Sequence, residues 1–381
     1  MRVAIVHYWL VTMRGGEKVV AELCRLWPGA DLFTHVIVPE RIDPEILKHR
    51  ITTSFVARLP FAKTRYKTYL PLMPLALEEF DLSGYDLVIS SEAGPAKGVV
   101  PAPGALHVCY VHSPMRYVWN MYHAYRAQLG GAGRLLWSPV AHYLRGWDHQ
   151  TAARVDVFVA NSDNVAARIR RYWGRDATVI HPPVAVGDFA PTAAHDGTYL
   201  LAGQLVGYKR ADLAVEAFNR SGRRLVVIGD GEQLKDLRRT AGPTVEILGP
   251  QPFPVLRDRL ARCRALVFPG EEDFGIVPVE AMASGKPVIA YGRGGALETV
   301  VEGRTGLFFH RQTPDDLNAA LDRFEAEATA FDPAAIARHA ARFDASVFRE
   351  RFAAVVDGVV RGRSAPDAIR SDPTAEPIAL D

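Results

Sequence analysis

Residues 271–300 read EEDFGIVPVEAMASGKPVIAYGRGGALETV. The run just before them, ALVFPG, has the continuous apolarity of a buried strand, and PVIAYG repeats it. Between the two lie a loop, EEDFGIV, and a helix start, PVEAMASG. Pro278 suits the first helical turn, and Gly285 suits a left-handed cap behind a short helix. A strand, a loop, a helix and a second strand make one βαβ unit, which implies a parallel sheet. Ligands of such sheets bind at the carboxyl ends of the strands, where helix N-termini point into a crevice. Backbone N–H groups around Phe274, Gly275 and Ile276 are therefore expected to face an anion. Glu272 and Glu280 flank that anion site eight positions apart. A carboxylate repels phosphate, so its partners there are hydroxyl groups. The spacing suits a sugar nucleotide, with Glu272 on the sugar and Glu280 on the ribose. The competing reading is a solvated loop acid and a surface helix acid.

The same rhythm extends outward in both directions. RVAIVHYWL, DLVISS, HVCYVHS and VFVANS form a first series of strand-like runs. TYLLAGQL, RLVVIGDG, VEILG, ALVFPG and PVIAYG form a second. Uninterrupted apolarity is expected of parallel strands covered on both faces. The two series divide near residues 178–200, where Pro182 and Pro183 forbid helix and stiffen an extended connector. With 381 residues, about twice an ordinary domain, the chain reads as two Rossmann-like α/β domains facing across a cleft. The expected boundaries are 1–184 for the first domain and 185–343 for the second. A helix over 344–362 is expected to cross back to the first domain. Residues 363–381 are polar and proline-containing, and read as a frayed tail.

Composition excludes several classes. A net charge of +2 is too balanced for a nucleic-acid binder. Cys24, Cys109 and Cys263 are far apart, which argues against zinc or a disulfide framework and for a reducing compartment. MRVAIVHYWL turns polar too soon for a signal peptide, and no run reaches the roughly 20 apolar residues of a membrane span. The expected location is the cytoplasm, with any membrane contact peripheral.

Further segments carry chemistry. MRGGEKVV has the strand–glycines–helix layout of a phosphate cradle, with Gly15 and Gly16 allowing close backbone approach; a tight turn explains it equally well. GYKRAD follows a strand and opens a helix, so Lys209 can reach a diphosphate as a point charge. His112 follows the strand HVCYV at the cleft edge, and Arg116, Tyr117 and Trp119 suit sugar stacking or an anionic acceptor, or simple packing. Gly294, Gly295 and Glu298 follow another strand as a candidate loop on the base or phosphate side. Residues 54–76 carry Arg58, Lys63, Arg65 and Lys67 with no acid among them, interleaved with aromatics. That mixture suits anionic headgroups or a lipid diphosphate acceptor, or else an ordinary solvated face.

Taken together, EEDFGIVPVEAMASGKPVIA, MRGGEKVV, CYVHSPMRYVW, VIHPPV, GYKRADLAVEAF and GGALETVVEGRTGLFF resemble family-4 retaining glycosyltransferases of the GT-B fold. The likeness runs over nearly the whole chain and is nearest to bacterial mannosyltransferase-like members that build O-antigens and exopolysaccharides. It implies hexose transfer from a nucleoside-diphosphate sugar, GDP-mannose favoured, to a lipid-linked saccharide. It also implies no cofactor and no divalent metal, and the chain contains no D-x-D of the kind that holds Mg²⁺ in metal-dependent transferases. The resemblance assigns Lys209 to the diphosphate and His112 to the donor sugar near the reacting carbon. It places the glycine loop across the cleft from the diphosphate. One position departs: the family usually has arginine where this chain has Gln204, which cannot make a charged bidentate phosphate contact. A sugar-nucleotide epimerase on the same fold and a catalytically silent binding subunit remain the rival readings.

Overall fold

The computed structural model describes residues 1–327 and 330–364. The first half forms a seven-stranded parallel sheet. Its strands are β1 (Val3–His7), β2 (Asp31–Thr34), β3 (Ile51–Thr53), β4 (Leu87–Glu92), β5 (Leu106–Val111), β6 (Val157–Ala160) and β7 (Thr178–Val179), in the order β3-β2-β1-β4-β5-β6-β7. The second half repeats the plan with six parallel strands: β8 (Tyr199–Ala202), β9 (Leu225–Ile228), β10 (Val245–Gly249), β11 (Leu266–Phe268), β12 (Val288–Tyr291) and β13 (Gly306–Phe309), in the order β10-β9-β8-β11-β12-β13. Each sheet thus reverses direction beside its first strand, β1/β4 in one and β8/β11 in the other. Those reversals open the crevices in which α/β sheets bind ligands.

Strand apolarity has the expected cause. Along β1, Val3 and Ile5 face one layer of helices while Ala4 and Val6 face the other, because successive side chains of a strand alternate. Full burial of each Val or Ile contributes about 1.5–3 kcal/mol, so both faces must be covered. The helix Gly15–Leu26 covers one face with Val19, Val20 and Leu23.

The closing helix, Ala345–Ser364, crosses back to this layer. Its Phe348, Phe352 and Val356 recur every four residues on one face and join the core around Ile5 and Tyr110. Phe352 meets Trp27 edge-on at 5.9 Å, and Arg349 pairs with Glu22. The expected tail lies, beyond residue 364, outside the described residues. All three cysteines are buried and unpaired.

Four strands escape the sequence reading. DLFT, ITT, TV and GLFF are too short, or too polar, to register as apolar runs. They form because an already buried neighbour presents a free edge for pairing.

Candidate active site

The carboxyl ends of the two sheets enclose a cleft of about 890 Å³ between the halves of the chain. The loops after β1, β5, β8 and β11 line it, bringing His112, Gly15, Gly16, Gln204, Lys209, Glu272, Phe274, Gly275, Ile276 and Glu280 together. Arg116 and Lys67 reach it as well.

On the second domain, the loop after β11 is fixed by close backbone approach. Gly270 packs so tightly that a Cβ there would lie 2.6 Å from the Lys209 Cα. Gly294 and Gly295 play the same part, since a Cβ on either would sit within 2.4 Å of the 272–274 backbone. The Gly295 N–H donates to the Glu272 carbonyl at 2.9 Å. These two glycines are thus a buttress behind the loop, which corrects their reading as a ligand-side loop. Gly275 has φ +91° and starts the helix Ile276–Ala283, whose N-terminus opens on the cleft.

The two glutamates are each held by a lysine. Glu272 Oε2 accepts from Lys209 Nζ at 2.8 Å within the second domain. Glu280, buried one turn into the helix, accepts from Lys18 Nζ of the first domain at 3.1 Å. Burial works against the Lys209 ammonium, but Glu272 beside it more than offsets this, and its pKa is raised. The lysine is therefore charged throughout the physiological range.

The first domain contributes a glycine turn and a histidine. A Cβ on Gly15 would meet Ile276 of the other domain at 2.9 Å, and one on Gly16 would meet the Tyr8 hydroxyl at 2.6 Å. Glycine at both positions leaves room for these two side chains beside the loop. Arg14 precedes them, and its Nη1 and Nη2 donate to the Gln204 side-chain oxygen at 2.9 and 3.0 Å when the amide is oriented to satisfy both groups. His112 Nε2 lies 2.8 Å from Ser91 Oγ, which lies 3.0 Å from His7 Nδ1. His7 Nε2 in turn faces Glu17 at 3.9 Å. Burial, with His7 nearby, pushes the His112 pKa down to about 3. His112 is a neutral imidazole at working pH, suited to hydrogen bonding a hydroxyl group and unsuited to carrying charge.

Remaining candidates separate into two groups. Arg116 lies across the domain boundary, its Nε donating to Asp273 Oδ2 at 2.8 Å and its guanidinium 5.2 Å from the Tyr208 ring centre. Trp119 is turned away from the cleft: its indole N–H donates to Asp148 at 2.7 Å, and its ring stacks on Tyr172 at 4.6 Å. Its environment is structural, because Asp148 also balances the fully buried Lys97. Arg58, Lys63 and Arg65 are exposed outside the cleft on the irregular stretch that the prolines impose. Lys67 is at the rim of the cleft.

Sequence reasoning missed Asp273, which pairs with both Arg116 and Arg168. Glu298, expected on a base- or phosphate-side loop, instead accepts from the backbone of Asp163 and Asn164 at 2.9 and 3.1 Å, capping the helix Asp163–Trp173 from the other domain. Asp273 stands inside the opening motif, yet nothing in the motif names a partner more than 100 residues away. The roles of Arg14 and Lys18 beside the glycine pair were hidden for the same reason.

Two opposed Rossmann-like domains with such a cleft define a GT-B fold. Known proteins agree in both halves. Residues 13–187 match the family described as Glycosyltransferase Family 4, and residues 191–342 match Glycosyl transferases group 1. The chain belongs to the GT-B glycosyltransferases of family 4. The D-inositol 3-phosphate glycosyltransferase of Nocardiopsis dassonvillei is 32% identical over 218 residues, 48% of this chain and 51% of that protein. The GDP-mannose-dependent alpha-mannosyltransferase of Mycolicibacterium smegmatis is 32% identical over 192 residues, covering 47% and 48%. The chain thus spans about half the length, or less, of the curated relatives it matches. Among solved structures, Anabaena HepE in complex with UDP-glucose superposes with a TM-score of 0.68 at 16% identity, over 94% of this chain and all of that one. Sucrose-phosphate synthase from Thermosynechococcus elongatus gives 0.70 at 18%, over 95% and 100%. At these identities the likeness establishes the fold.

Proposed function

We propose that this chain is a retaining glycosyltransferase that moves a hexose from a nucleoside-diphosphate sugar to a lipid-linked saccharide in surface or exopolysaccharide synthesis. The observation that carries the reading is the pair of lysine-held glutamates on either side of a helix N-terminus in one cleft. The helix start, Lys209 and Lys18 together suit a diphosphate. Glu272 and Glu280 suit hydroxyls on the sugar and the ribose. Mannose from GDP-mannose is the favoured donor, since relatives named for mannosyl transfer match the chain. The UDP complexes among the structural neighbours make uridine nucleotides the second choice to test.

In this reading the bond from the anomeric carbon to the diphosphate oxygen breaks as the acceptor oxygen attacks from the same face. The acceptor proton passes to the departing diphosphate. Lys209 and the helix N-terminus stabilise the charge that grows on the leaving group, the largest electrostatic demand of such a step. Glu272 orients the sugar and forms no covalent bond. His112, neutral and anchored through Nε2, receives a hydroxyl of the donor sugar near the reacting carbon. No cofactor and no divalent metal takes part.

The acceptor would approach at a membrane surface on the cytoplasmic side. No helix among the described residues is long and apolar enough to cross a membrane. Phe61, 72% exposed, stands between exposed Arg58, Lys63 and Arg65. The helix Gly131–Thr151, which packs on this segment through Ala141 and Leu144, leaves Leu135 and Leu136 exposed at 77% and 66%. Basic and apolar groups side by side suit an anionic lipid surface, whereas a nucleic-acid partner is not part of the reading.

The test is turnover of GDP-mannose with a lipid-linked saccharide in EDTA. The expected result is GDP release with a product that keeps the anomeric configuration. Release that stops in EDTA and returns with Mg²⁺ would refute the metal-free mechanism. Nucleotide binding without turnover on any acceptor would favour a silent binding subunit.

A further inference from the structure

Among the described residues, five cationic side chains line the cleft: Arg14, Lys18, Lys67, Arg116 and Lys209. Three are already matched by carboxylates, Lys18 by Glu280, Arg116 by Asp273 and Lys209 by Glu272. Lys67 is exposed at the rim, its ammonium 5.9 Å from the Tyr66 ring centre. Arg14 differs from all of them. Its guanidinium crosses from the first domain to the second and ends on a neutral amide, that of Gln204. The nearby Glu17 carboxylate is spent on the Arg14 backbone N–H at 3.0 Å. Among the described residues no carboxylate pairs with the Arg14 side chain.

The charge count gives this geometry its meaning. Lys18 and Lys209 each bring one positive charge that a neighbouring glutamate cancels, so a diphosphate meets two nearly neutral pairs. Arg14 carries a positive charge left over where the two domains meet across the cleft. A guanidinium has five N–H donors in a planar fork that fits phosphate oxygens, and Gln204 occupies only two of them. A glutamate at 204 would cancel the charge, and an arginine there would repel it. Glutamine does neither: it holds the fork in place and leaves it cationic.

We propose that Arg14 is a donor-binding residue, reaching from the first domain to grip the diphosphate of a nucleotide sugar seated on the second, with Gln204 as its positioning residue. The proposal rests on the nucleotide-sugar reading above. It explains how the donor half manages with glutamine at 204, since the guanidinium arrives from across the cleft. It also ties donor binding to the approach of the two domains, because the diphosphate then bridges them. Departure of the nucleoside diphosphate releases that bridge and returns Arg14 to Gln204 alone.

The experiment is calorimetric titration of GDP, UDP, guanosine and uridine into wild type, Arg14→Gln and Arg14→Lys. Arg14 is exposed at the protein surface, so matched thermal unfolding curves are expected for all three proteins. Losing a hydrogen bond to a charged group lowers affinity on the order of 10- to 100-fold. That loss is expected for the preferred diphosphate in Arg14→Gln, with the affinity of the matching nucleoside unchanged and Arg14→Lys in between. Diphosphate affinity in Arg14→Gln equal to wild type overturns the proposal, and so does an equal loss for diphosphate and nucleoside. Wild type that binds neither diphosphate refutes the underlying functional reading instead, a failure visible before any variant is measured.

Discussion

The ion pair between Lys209 and Glu272 can be made to report which of its members serves the reaction. Their side chains keep 20% and 18% exposure and stand 2.8 Å apart, so each strongly feels the loss of the other. Lys209→Met removes a cation from the leaving group and also exposes the diphosphate to an unmatched Glu272. Loss of one preorganised charge-stabilising group costs about 2.7–4 kcal/mol, or roughly 10²–10³ in kcat. The double variant Lys209→Met/Glu272→Gln removes the repulsion but not the lost attraction. Coupled neighbours typically interact by about 0.5–3 kcal/mol, so the double variant should regain about tenfold over the single and stay well below wild type. The assay is single-turnover release of nucleoside diphosphate at saturating donor, with binding measured separately. Two results refute the reasoning. Lys209→Met within threefold of wild type would remove the lysine from the transition state. Full recovery in the double variant would show that Lys209 serves only to neutralise Glu272.

Glu280→Ala should weaken nucleotide binding by about 1.5–3 kcal/mol with a smaller effect on kcat, whereas Glu272→Ala should chiefly lower turnover; binding isotherms and steady-state kinetics separate the two. Replacing Arg58, Lys63, Arg65 and Lys67 with glutamine should abolish sedimentation with anionic vesicles, since each contributes about 1 kcal/mol near such a surface, and should leave most of the nucleotide affinity intact. Sedimentation of that variant like wild type would show the stretch to be an ordinary surface. Acid should destabilise the fold: burial pushes the pKa values of His35, His107 and His112 down to about 3, 4 and 3 from 6.5. The unfolded chain then gains protons below about pH 6.5 that the folded one refuses, at a cost of about 1.4 kcal/mol per histidine at pH 5.5. Melting temperature should fall between pH 7.5 and 5.5, and a flat profile would contradict the burial of these rings.

The sequence alone determined whatever is local in its chemistry. Strands such as VAIVH declare themselves because parallel strands are apolar on both faces, and the loop and helix from Glu272 to Glu280 declare themselves because strand, turn and helix are contiguous. Glycine's meaning was only half legible. Gly15 and Gly294 both read as ligand loops, but the first meets Ile276 across the cleft and the second makes room for the Glu272 backbone. Trp119 looked like a ligand platform because an indole beside an arginine has no visible partner in one dimension; the fold supplies Asp148 and Tyr172.

What only tertiary structure decided is pairing between the halves. Lys18 with Glu280, Arg14 with Gln204 and Glu298 with the start of the helix Asp163–Trp173 each join residues more than 130 positions apart. No periodicity or spacing encodes such pairs. They exist because two separately folded sheets bring the carboxyl ends of their strands to one cleft, where charge and hydrogen bonding are balanced across space.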